Sequence, residues 1–476
     1  MTNYRKLNDS EISRLTAQGC VADDWSQVLV AEGFVPETVT HVRFSGQVRL
    51  GVFEKNFALP GGLTRRAGLH HVALHNCTVG NNTFIEGVAN YIANYRIGDD
   101  CYIQNVNLLL TEGESSFGNG TEVSVLNETG GREVPIYNRL SAQMAYLMAM
   151  YRHRPDLIGR LRQLVADYTA TVTSDCGTIG RGVHIVNTGT IRNLCIGDAC
   201  RIDGASRLDN GTINSCPEAP VTIGANVTAQ DFIISSGACV SDGAVLSRCF
   251  VGQACHLSHL FSAHDSLFFS NCQGENGEAC AVFAGPYTVS MHKSSLLIGC
   301  QTSFMNAGSG TNQSNHMYKM GPVHWGVLER GVKTSSLSYL MLGAKIGAFS
   351  LLMGQHKTHP DSSQFPFSYL FGDERGSTVV VPAMMLRSCG LLRDEQKWPS
   401  RDKRVKRRMP LRDRVIFDVL NPMTVDSMMT AHQVILDLLA RPADDDRVIR
   451  YRGMKFTRAA LERAIYLYEL GIYKYL

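Results

Sequence analysis

An aliphatic residue, a glycine, two small or polar residues and a further aliphatic residue recur along this chain. Val79-Gly80-Asn81-Asn82-Thr83-Phe84-Ile85 returns as Ile97-Gly98-Asp99-Asp100-Cys101-Tyr102-Ile103, the two glycines lying 18 residues apart. The pattern reappears as Ile179-Gly180-Arg181-Gly182-Val183-His184-Ile185 and, 17 residues on, as Ile196-Gly197-Asp198-Ala199-Cys200-Arg201-Ile202, with looser copies at Ile223-Gly224 and Val251-Gly252. Such spacing predicts short strands that stack, because each segment is too short to bury its apolar side alone. Glycine is expected to take positive φ at each corner, with Asn or Asp tolerating a similar conformation. Flats of about six residues at roughly 3.3 Å per residue make a triangular coil about 20 Å on a side.

Other segments follow a helical period. Asn8 and Glu11 have capping-box spacing ahead of Ile12 and Leu15, which predicts a short first helix. Strand-like segments at 41–44 and 48–53 then begin the stack, with a first boundary near residue 40. After Pro135 the repeat gives way to Leu140, Met144, Leu147, Met148 and Tyr151 at helical spacing, and after Pro155 to Leu157, Leu161, Leu164, Val165 and Tyr168. This pair is a lid, a subunit contact or a support packed on the strands. Towards the end, Thr424 and Thr457 are candidate N-caps, Pro442 marks a break, and Leu461, Ile465, Tyr468 and Ile472 form a stripe suited to covering one end of the stack. The predicted organisation is an N-terminal helical cap over 1–40, a strand domain over 41–392 with a helical insertion at about 133–170, a basic linker over 393–414 and a helical region over 415–476.

The repeated turns resemble those of the hexapeptide-repeat transferase superfamily. The resemblance implies an all-β solenoid, a left-handed parallel β-helix, and the hand comes from the resemblance alone, since general chain physics favours right-handed crossovers. It also implies acyl transfer from acetyl-CoA or another acyl-CoA to a hydroxyl or amine of a sugar, nucleotide sugar or small metabolite. A histidine serves such enzymes as general base, and assembly as a homotrimer is common among them.

With 44% hydrophobic residues and a formal net charge of +3, the chain is suited to folding as a soluble protein. Met1 to Lys6 lacks the apolar run of a signal peptide, and no segment has the apolar length of a membrane span, so a cytoplasmic address is expected. The 14 cysteines lack metal-finger spacing, and Cys101 and Cys200 fall at inward repeat positions where a small hydrophobe suffices. Lys403-Arg404 and Lys406-Arg407-Arg408 concentrate positive charge that suits the phosphates of a cofactor, a polyanion or a solvated linker. The modest net charge and the lack of a recognised nucleic-acid module argue against a nucleic-acid partner. No Walker motif or dinucleotide fingerprint is present.

Candidate chemistry lies where the repeat is least regular. The run from Asn306 to His316, followed by Lys319 and His324, carries too many amides and glycines for an inward ladder. His316 is the first candidate base and His324 the second, with Asn312 and Asn315 orienting substrate and Lys319 meeting a phosphate or carboxylate. His356, His359 and Asp361 form a second polar cluster suited to substrate contacts. His70 and His75 resemble the His-x4-His element of gamma-class carbonic anhydrases, which raises a zinc-enzyme alternative. The third ligand is missing near residue 34, so no metal is assigned. A non-catalytic ligand-binding or scaffold protein is the remaining alternative.

Overall fold

The computed structural model describes residues 3–314, 325–405, 410–441 and 448–476. The repeat sets strand pairing. Strand Phe84–Val88 lies parallel to Tyr102–Leu110 with Ile85 opposite Ile103. Tyr102–Leu110 in turn lies parallel to His184–Ile196, with Ile103 opposite Ile185, and Ile185 faces Ile202 of the next strand. All four isoleucines are at most 1% exposed, so they form one apolar column. The chain leaves the stack after Leu110 and rejoins it at Gly177–Ile179, which pairs with Tyr95–Ile97, and the helical insertion lies between.

The repeat glycines act differently from the expectation. A Cβ on Gly80 would meet the carbonyl carbon of Gly98 at 2.5 Å, and one on Gly98 would meet that of Gly180 at 2.8 Å. Their role is close approach of backbone to backbone. The left-handed conformation falls two residues later, at Asn82 (φ 54°), Asp100 (φ 60°), Gly182 (φ 66°) and Ala199 (φ 56°). Asn and Asp tolerate this conformation because a short polar side chain bonds locally.

The fold class expected from the repeat, an all-β solenoid of the left-handed parallel β-helix kind, is corrected by the sheet topology. Thirty-two strands join in one large mixed sheet, which includes the antiparallel pair Tyr4–Lys6 and Val28–Ala31. A separate six-stranded mixed sheet joins Lys333–Thr334, Leu351–Met353, Tyr369–Gly372, Thr378–Val381, Met454–Thr457 and Val448–Tyr451. Two two-stranded ribbons complete the strands among the described residues. Turn spacing dictates which residues face each other across a ladder, but not how ladders connect, and the connections define the class.

Helix α1 (Asp9–Ala17) carries the predicted capping box, Asn8 accepting from Glu11 N and Glu11 from Asn8 N. The strands begin before residue 40, at Tyr4–Lys6 and Val28–Ala31. Helices α2 (Ala142–Met150) and α3 (Pro155–Val172) form the insertion. Met148 and Val165 bury against Phe250, Leu267, Phe269 and Phe283 of the large sheet, so the insertion packs as a support.

The C-terminal part holds α4 (Cys389–Ser400), α5 (Pro422–Leu439) and α6 (Arg458–Tyr475). Thr457 caps α6 as expected, accepting from Ala460 N. Asn421 rather than Thr424 caps α5, and Thr424 sits at the third helical position with its hydroxyl bonded back to Asn421 N. Pro442 lies outside the described residues. Within the α6 stripe, Leu461 and Tyr468 are fully buried, and Tyr468 donates to Pro366 O at 2.7 Å. Among the described residues no helix is long and apolar enough to cross a membrane.

Candidate functional site

Lys406, Arg407 and Arg408 lie outside the described residues, and the rest of the basic run expected as a linker is a built part of the fold. Its first turns belong to α4, whose N-cap Ser388 accepts from Gly390 N. Trp398 near the end of α4 sits edge-on to Phe304 at 4.7 Å, and Tyr287 Oη donates to the Trp398 carbonyl at 3.3 Å. Beyond the helix, Asn271 accepts from Lys403 N at 3.0 Å and donates to Asp402 at 3.1 Å. Asp402 and Arg404 form an ion pair at 2.8 Å with side chains only 1% and 3% exposed. Burial opposes both charges, yet their mutual hydrogen bond leaves the carboxyl below and the guanidinium above their ordinary pKa values. Arg404 also donates to Asp413 O, and the Asp413 carboxylate accepts from Ser270 N, Ser270 Oγ and Ala142 N.

Held in this way, α4 and the residues after it roof a groove of about 380 Å³ on the large sheet. Lys333, Arg393, Lys397, Arg401 and Lys403 line it as five cations. Among the described residues its one carboxylate, Asp394, is paired with Lys333 and lies 3.7 Å from Arg393. Gln273, His292 and Asn306 add polar groups on the sheet side, while Tyr287, Phe304 and Trp398 supply rings. The arrangement is chemically suited to an anion carrying several charges and a planar or apolar part.

Four of the five cations come from the basic run whose suitability for phosphates was legible in the sequence. Lys333 and His292 were not singled out, since each reaches the groove only through strand stacking. Of the residues expected to form the site, those that are described do not line the groove. Asn315, His316, Lys319 and His324 fall outside the described residues. Asn312 begins a strand, donating its N–H to Ser338 O at 2.8 Å, and its buried side-chain oxygen has no partner among the described residues.

His356, expected in a turn in reach of substrate, is fully buried at a ladder position opposite Leu340. Its Nδ1 shares a hydrogen bond with Thr378 Oγ1 at 2.9 Å, its Nε2 has no partner among the described residues, and burial lowers its pKa to about 4. His359 bonds Leu342 O at 2.7 Å, which is backbone capping. Asp361 accepts from Ser363 and pairs with Arg452 at 3.2 Å. None of these three lines the groove.

The zinc alternative also meets committed side chains. His70 Nδ1 bonds Thr40 Oγ1 at 2.8 Å, and His75 Nδ1 bonds Ser45 Oγ at 2.9 Å. Among the described residues no group of three or more His, Cys, Asp or Glu side chains is placed to hold a metal ion.

Residues 4–439 match the family described as a domain of unknown function, DUF4954. The chain belongs to the DUF4954 family. The match takes in the large sheet, the helical insertion, α4 and α5, and so contains every residue lining the groove. A relative in Treponema pallidum (strain Nichols), described as an uncharacterized protein, is 29% identical over 418 residues. That alignment covers 84% of this chain and 57% of the relative, so the chain spans little more than half of that relative's length.

Proposed function

We propose that this DUF4954 protein binds a multiply phosphorylated small molecule in the groove under α4, and that the molecule is an acyl-CoA from which an acyl group passes to a small acceptor. The observation that carries this reading is the ring of five cations against one already paired carboxylate. CoA presents a pyrophosphate and a ribose phosphate, which suit lysine point charges and the planar forks of arginine. The volume lies in the range of small-molecule sites, about 300–1,000 Å³. The resemblance of the turn repeats to hexapeptide-repeat transferases supports the choice of donor.

His292 is the exposed imidazole of the groove. As general base it takes the proton of an acceptor hydroxyl or amine while that atom attacks the thioester carbonyl and CoA leaves as its thiolate, which then takes up a proton. A sugar, nucleotide sugar or other small metabolite fits the acceptor role. All fourteen cysteines are free thiols, which agrees with a reducing cytoplasm as the address.

A second reading is a binding module without turnover. It is favoured by the absence, among the described residues, of any group hydrogen-bonded to His292 that orients it. Calorimetry with CoA and acetyl-CoA, joined to a free-thiol assay with sugar acceptors, tests both readings. Saturable CoA binding that weakens about tenfold or more in K397E and R401E, with thiol release lost in H292A, supports the transferase. Binding without thiol release supports the module, and no CoA binding removes both.

A further inference from the structure

Helix α4 has a second cavity on its other side, against α6. Its volume is about 570 Å³, and Leu391, Leu420, Leu467 and Leu470 are among its walls. Gly471 at its floor lets α6 approach closely, since a Cβ there would meet Met428 Sδ at 3.0 Å. Leu392 and Leu470 are each 50% exposed and Tyr466 is 64% exposed, so the cavity has an apolar lip facing water. Burying such a lip away from water is favourable.

Two cations stand on the same lining. The side chains of Arg387 and Lys474 have no hydrogen bond or ion pair among the described residues, and the one carboxylate among the described residues of the lining, Glu395, accepts from Val419 N at 2.6 Å. Apolar walls with free positive charge match an occupant that is a hydrocarbon chain ending in an anion. We propose that this cavity binds a free long-chain fatty acid, its chain along the leucines and its carboxylate between Arg387 and Lys474. The inference is independent of the groove on the other side of α4, and the two stand or fall separately.

Displacement of a dansyl-labelled undecanoic acid from the full chain tests the proposal. Palmitate is expected to displace the probe at one site per chain, and methyl palmitate, which lacks the charge, about tenfold less well. Leu470→Trp fills the mouth from a half-exposed position and is expected to weaken palmitate about tenfold with an unchanged melting temperature. The paired variant R387E/K474E is expected to weaken palmitate and leave the ester unaffected. Equal affinity for acid and ester overturns the proposal, as does unaltered binding in Leu470→Trp. Self-association that Leu470→Trp abolishes without any probe binding assigns the cavity to a second copy. Binding to phosphatidylglycerol vesicles that palmitate does not compete assigns it to a membrane surface. Either of these last two results also overturns it.

Discussion

The guanidinium of Arg330 lies 4.4 Å from the ring centre of Phe304 and 5.8 Å from that of Phe349. It occupies a gap in a column of rings, with Tyr287 stacked on Phe304 at 4.9 Å to one side and Phe349 on Phe367 at 5.3 Å to the other. All four aromatic residues hold left-handed φ values between 50° and 62°, a conformation that bulky side chains rarely adopt. Stacking offsets that cost. Trp398 rests on the column, so the rings that hold these turns also seat the roof of the groove.

Arg330→Ala is expected to destabilise the protein by about 2 kcal/mol, through loss of the cation–π contact and the bond to Ile416 O. Gly331→Ala next to it is expected to cost more, because its φ is 78° and a Cβ would stand 2.1 Å from Phe349 Cδ1. Urea unfolding of both variants measures the difference.

Asp413→Ala removes the acceptor of three donors at once, from Ser270 and from the first residue of α2. A loss of about 3 kcal/mol is expected, and Asp413→Asn, which keeps one acceptor oxygen, is expected to lose less. Thermal unfolding orders the three proteins. An Ala variant as stable as the parent refutes the idea that this carboxylate ties the basic segment to the insertion.

His356 sets an acid limit. Its folded pKa of about 4 lies below the ordinary 6.5, so between these values the unfolded chain holds a proton that the folded chain does not. Stability therefore falls as pH drops from 6.5 towards 4, by roughly 3 kcal/mol in all. His356→Leu is expected to flatten that limb by about one proton, read from unfolding free energies at several pH values.

Glu329 acts in the opposite sense. Burial raises its carboxyl to about 7 from 4.5, against the lowering effect of the Ala348 N–H, so the folded chain holds the extra proton in that window. Stability declines as pH rises from 4.5 through 7. Glu329→Gln mimics the protonated form and is expected to remove the decline, leaving the variant more stable than the parent at pH 8.

Much of the strand pairing was legible because a repeat of 17 or 18 residues leaves one register that keeps every aliphatic residue inward. Ile85, Ile103, Ile185 and Ile202 meet as their turns predict. Helix ends were legible for the same local reason, as Asn8 and Thr457 show. The site was legible only in its charge. His356 looked like a turn residue because its neighbours Lys357 and His359 are polar, yet its ladder place opposite Leu340 buries it.

The sequence by itself determined the registers, the helical interruptions and the clustering of basic residues after Gly390, because these depend on contacts between near neighbours or on strict periodicity. Tertiary structure alone decided that the strands join into one large mixed sheet, that the repeat glycines serve close stacking, and that Lys333 and His292 share a groove with Arg393 and Lys397. Those outcomes depend on which surfaces α4 and the insertion cover. That choice is made by buried partners far apart in the chain, such as Asp413 with Ser270 and Tyr287 with Trp398, whose pairing no local pattern records.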